Sequence, residues 1–182
     1  MKPPKRAKPA KEPAPLTRQK LEQVALAYVN RFDVSVSKLR QHLKTRARKE
    51  GGGEETEAWI AELLERYQGS GVLDDARFAR NMASQLAGRG KSARAIAHKL
   101  SARGVAADVT SQLMSARREA EPGAELEAAR AYVRKRRLGP HRTAEKRAEF
   151  RHKDLATLAR QGFSFDIAKQ ALGPGASTDE EF

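Results

Sequence analysis

Residues 88–96 read GRGKSARAI, and Gly90-Lys91-Ser92 is how a phosphate-cradling loop ends. That loop needs the spacing G-x-x-x-x-G-K-[ST], because its first glycine lets the backbone wrap the phosphates that the lysine then reaches. Here Gln85 stands in the first glycine's place. The loop must also leave a buried strand, whereas Phe78, Met82 and Leu86 recur at helical spacing before it. Both requirements fail, so an NTPase is rejected and no cofactor is expected. Gly88 or Gly90 instead ends one helix, and Ser92 caps the next, whose buried side carries Ile96 and Leu100. Arg89, Lys91 and Arg94 then surround a helix N-terminus, a good place to grip a backbone phosphate or a carboxylate.

The second chemical candidate is RAYVRKRRLGPHR, residues 130–142. Arg130, Arg134 and Arg137 share one helix face, while Leu126, Ala129 and Val133 share the other, and Lys135 and Arg136 widen the charge. A helix dipole favours one or two cations at a C-terminus. It does not account for five with no acid before Arg142, and a contact surface is the better reading. Tyr132 is the one aromatic in the run, so the contact expected is with phosphates or acidic side chains, salt-dependent and not base-specific.

Other reactive residue types carry no pattern. Asp74 and Asp75 are adjacent, and neighbouring side chains on a helix diverge, so Asp74 reads as an N-cap and not as half of a metal or acid/base pair. The histidines His42, His98, His141 and His152 lack metal-ligand spacing, and none stands by a nucleophile motif. No catalytic residue, no metal site and no enzymatic activity are expected. Trp59, on a helix with Ile60 and Leu63, reads as a packing residue.

The 36 basic and 23 acidic residues leave a charge of +13, which draws polyanions. With no cysteine, disulfide scaffolds and thiolate zinc sites are excluded. No apolar run approaches the ~20 residues of a membrane span. Residues 1–15 are charged and proline-rich, with no apolar segment behind them, so a disordered basic tail in a cytoplasmic protein is expected. Hydrophobic residues make up 39% and aromatics 5%, which suits several small cores better than one large one.

The elements that position these residues are helices throughout, so the fold class is all-α. Thr17 and Ser35 cap the first two helices, with Leu16 stapled to Leu21 and Val34 to Leu39; Leu73 is placed to staple to Phe78 in the same way. The chain also repeats itself. LSARGVAADVTSQLM (100–114) and LARQGFSFDIAKQAL (158–172) superimpose without a gap, pairing Gly104 with Gly162 as left-handed helix ends. A degenerate third copy begins at SKLRQHLKTRARKE, where Leu39 and Leu43 correspond to Ile96 and Leu100 and the turn has become GGGEET, a longer and flexible loop. The organisation expected is three tandem three-helix repeats in an elongated, curved array. They span 16–69, 70–120 and 121–173, with 174–182 a frayed C-terminus.

GVLDDARFARNMASQLAGRGKSARAIAHKLSARGV (71–105) resembles the signature of the RecX family: an apolar-Asp-Asp helix start, an Arg/Phe helix, a basic Gly-rich turn, and a leucine-periodic helix ending in glycine. LARQGFSFDIAKQAL and AARAYVRKRRLG are similar to the family's closing pattern and to the helix that opens its last repeat. The resemblance covers about Leu16 to Leu172 and departs at RARKEGGGEETEA. It implies three three-helix repeats and a monomeric regulator that binds RecA, chiefly as a filament on single-stranded DNA. Inhibition of RecA's ATPase, strand-exchange and coprotease activities is implied with it, as is non-specific contact with single-stranded DNA and, as a secondary partner, double-stranded DNA. The competing reading is a general helix-turn-helix DNA-binding protein. Against it, the helix after Ser92 opens on Ala93, Arg94 and Ala95, where base reading calls for residues such as Asn or Gln.

Overall fold

The computed structural model describes residues 16–174, and the expectations for the two tails fall outside them. Regular structure among these residues is helical: α1 (Arg18–Arg31), α2 (Val36–Lys49), α3 (Thr56–Gly69), α4 (Asp75–Gly88), α5 (Ala93–Ala102), α6 (Ala107–Ala120), α7 (Ala124–Arg136), α8 (Ala144–Arg160) and α9 (Phe165–Leu172), with a 3-10 turn at Gly139–His141.

Helix starts follow from short polar side chains in extended backbone. Such a side chain satisfies an N–H that the first turn leaves without a partner. Thr17 Oγ1 accepts from the Lys20 amide at 3.2 Å, Ser35 Oγ from Lys38 at 3.2 Å, and Ser164 Oγ from Ile167 at 3.3 Å. Asp74 accepts from Arg77 at 2.8 Å, and Ser92 from Ala95 at 3.1 Å.

Helix ends follow from glycine. Gly90, Gly104 and Gly162 all lie in the left-handed region (φ 70°, 77° and 89°). The next residue folds back to donate to a carbonyl five positions earlier: Lys91 to Leu86 at 3.1 Å, Val105 to Leu100 at 3.1 Å, Phe163 to Leu158 at 3.2 Å. The repeated sequence is thus a repeated turn, with Leu100 and Leu158 buried before it and Val105 and Phe163 buried after it. At the end of α7 the same backbone bond, Leu138 to Val133 at 2.9 Å, is closed by Arg137, the one non-glycine residue with positive φ among those described.

The chain divides after Leu73 into two compact units. In the first, α1–α3 enclose Leu21, Ala25, Leu39, Leu43, Ile60 and Leu64, with Trp59 packed against them. Leu73 is buried with this core, its amide donating to the Tyr67 carbonyl at 3.0 Å. Helix α2 has 14 residues where α5 has 10, so Ala47 adds a further buried turn before the left-handed Gly51. Of the three glycines only Gly52 is closely packed: a Cβ there would lie 2.8 Å from Thr56 Oγ1, whereas Gly51 faces open space.

In the second unit, α4–α6 enclose Phe78, Ala83, Leu86, Ile96 and Leu100, and α7–α9 enclose Val133, Leu138, Leu158, Phe163 and Leu172. The α7–α8 connection is held by the buried Asp154 carboxylate. It accepts from Arg142 Nε at 2.8 Å and Nη2 at 2.7 Å, and from the Gly139 amide at 2.9 Å. Burial raises the pKa of Asp154, but these donors more than offset that and hold it below the usual carboxylate range.

Candidate functional site

Within the second unit, α4–α6 and α7–α9 face each other across an open cleft of about 1450 Å³. Its floor is apolar or small, with Ala97, Val105, Met114, Ala128 and Ala131, and its walls carry Lys91, Arg94, His98, Arg117, Arg118 and Arg134. Three acids also line it, and each is engaged. Glu121 faces Arg117 at 3.7 Å, Glu127 accepts from Arg130 at 2.8 Å, and Glu125 accepts from the Ala93 amide at 2.9 Å. Lys91, Arg94, Arg118 and Arg134 form no ion pair among the described residues. The cleft therefore presents surplus cations above an apolar floor. The Thr110 hydroxyl, buried on one wall, has no hydrogen-bond partner among the described residues.

The cleft is pinned at the N-terminus of α5. Ser92 is fully buried, and besides capping α5 its hydroxyl donates to the Gln161 carbonyl at 2.6 Å. Gly162 follows so closely that a Cβ there would lie 2.7 Å from Ser92 Oγ and 3.2 Å from Arg94 Cβ. Glu125, in the first turn of α7, reaches across to the Ala93 amide. The helix-terminus anion site read from GRGKSARAI is thus filled by a carboxylate of the same chain. Burial raises the pKa of Glu125, while the Ala93 amide and the Arg118 charge partly counter it.

The sequence-predicted cations separate into two sets. Lys91, Arg94 and Arg134 line the cleft. Arg89 is the exposed C-cap of α4, and Arg130 is tied to Glu127 outside the lining. Lys135, Arg136 and Arg137 are exposed beyond the cleft, with the Arg136 guanidinium 6.0 Å from the Tyr132 ring centroid. Tyr132 packs against the third core, 6.3 Å from Phe163, and is no stacking platform. Two cleft cations, Arg117 and Arg118, went unread in the sequence because they close α6, where basic residues suit the helix dipole and draw no notice.

Among the described residues no cluster of His, Asp or Glu could hold a metal ion, and no helix is long and apolar enough to cross a membrane. Residues 74–114, which supply one wall of the cleft, match the family model described as RecX, second three-helix domain. Over 174 residues the chain is 38% identical to the regulatory protein RecX of Myxococcus xanthus (strain DK1622), covering 92% of each chain. The crystal structure of RecX from Lactobacillus salivarius shares the fold, with a TM-score of 0.67 at 16% identity over 85% of this chain and 94% of that one.

Proposed function

This chain belongs to the RecX family of regulatory proteins, and on that premise we propose that it binds RecA, chiefly the filament on single-stranded DNA, and restrains it. The restraint covers ATP hydrolysis, strand exchange and coprotease activity. The chain acts by occupying the filament as a monomer and not by catalysis. The observation that carries this reading is the cleft of the second unit: four cations without ion pairs stand over an apolar floor, while every acid in the lining is engaged. Such a surface suits an acidic protein face or a run of phosphates, and a filament of protein on DNA offers both. The family match covers the α4–α6 wall of the same cleft.

The test is RecA-dependent ATP hydrolysis on single-stranded DNA with rising amounts of this protein. Hydrolysis is expected to fall to a plateau, and the fall to weaken as salt is raised. Hydrolysis unchanged at saturating protein sinks the proposal. Sequence-specific duplex binding with no effect on RecA would favour the helix-turn-helix reading. That reading is the poorer one, because the α5 terminus is filled by Glu125 and Ser92 and its opening residues offer no base-reading amide.

A further inference from the structure

We propose that Glu125 is a latch: its carboxylate holds the two walls of the cleft together from inside, and an acidic segment of the protein partner displaces it. The proposal rests on the reading of the cleft as the surface that takes the partner. The α4–α6 core around Phe78 and Leu100 and the α7–α9 core around Val133 and Leu158 are separate. Residues 121–123 connect the two along the chain. The hydrogen bonds that join them across the cleft, Ser92 to Gln161 and Ala93 to Glu125, both stand at the N-terminus of α5. A joint gathered at one end lets the two walls part like the arms of a clamp.

The two bonds differ in kind. Ser92 is fully buried with Gly162 pressed against it, so no outside group can take its place. Glu125 lines the open cleft and is only partly buried. It sets both carboxylate oxygens on the Ala93 amide, at 2.9 and 3.2 Å, where the first turn of α5 leaves a donor without a helical partner. Burial disfavours its charge, and the amide and Arg118 only partly counter that. A partner's carboxylate, carried in with apolar side chains that cover the floor, meets the same donor and Lys91, Arg94 and Arg118 beside it. The Thr110 hydroxyl is 9% exposed and unpartnered among the described residues, and it offers such a segment a further hydrogen bond in the same cleft. A carboxylate suits this seat better than a nucleotide, because the seat already holds one and the lining has no Phe, Tyr or Trp for a base to stack on.

The full chain has no cysteine, so spin labels on Gln112→Cys of α6 and Gln170→Cys of α9 report the spacing of the walls by pulsed electron resonance; both positions are exposed and outside the lining. Glu125→Gln removes the charge, and Glu125→Asp keeps it but falls a methylene short of Ala93. Both are expected to lengthen the measured distance while melting within a few degrees of the labelled parent. A short labelled peptide of alternating glutamate and leucine, followed by fluorescence anisotropy, should bring the parent to the distance seen in the variants. Both variants should bind it about fivefold more tightly than the parent. Glu127→Gln takes the same charge out of the cleft without freeing Ala93, and should tighten binding much less. A distance unmoved by both Glu125 variants overturns the latch, whatever the cleft binds. Equal tightening by Glu127→Gln and Glu125→Gln does so too, because net charge then suffices. Oligothymidylate lengthening the parent's distance as the peptide does would overturn the acidic segment as the displacing group. A peptide bound by none of the proteins, with the distance still longer in the variants, overturns the displacement and with it the reading of the cleft.

Discussion

Ser92 and Asp154 show how single buried polar groups set the cleft's geometry. Ser92 caps α5 and holds the Gln161 carbonyl, so Ser92→Ala removes a cap worth ~1 kcal/mol and strands an acceptor. A loss of about 2 kcal/mol is expected in urea unfolding; a loss below half a kcal/mol would show that the 2.6 Å bond contributes nothing. Asp154 makes a pH prediction. Its pKa is lower folded than unfolded, so its contribution is complete above the ordinary carboxylate range near ~4 and fades as pH falls through the depressed value. The parent should therefore lose stability below that range more steeply than Asp154→Asn, which keeps an acceptor for Gly139 but does not titrate. Parallel stability curves would contradict the assignment. Ser92 was legible as a cap because it precedes an apolar-periodic run. Its bond to Gln161 was not, since no local spacing reports a partner 69 residues away.

At the scale of elements, the repeated glycine turns were readable because only glycine adopts their backbone without cost. Gly162 shows what the pattern hides: its turn also rests on Ser92 and Arg94. Gly162→Ala combines positive φ with a contact of 2.7 Å and should cost about 2 kcal/mol or more. Gly71→Ala, also at positive φ (71° against 89° at Gly162) but with open space, should cost only the conformational part. Equal losses in thermal unfolding would remove the close contact from the account. The α2 turn was harder to place, because the extra helical turn through Ala47 moves its glycine out of register with Gly104 and Gly162. Arg130 to Arg137 divide in the fold. Periodicity put Arg130, Arg134 and Arg137 on one face, yet only Arg134 lines the cleft, since Glu127 takes Arg130 and the helix ends at Arg136.

For the whole molecule, a charge of +13 favours polyanions in general without saying where one would bind. Folding sharpens that charge by engaging acids internally and leaving Lys91, Arg94, Arg118 and Arg134 to face one opening. None of the four is needed for a core, so Lys91→Glu, Arg94→Glu and Arg134→Glu together should leave the melting temperature within a few degrees of the parent. The most direct measurement is RecA-dependent ATP hydrolysis on single-stranded DNA, titrated in parallel with the parent protein and this triple variant. Inhibition by the parent is expected, with at least a tenfold higher concentration for half-inhibition by the variant. Equal potency of the two folded proteins would contradict the cleft as the surface that engages the filament.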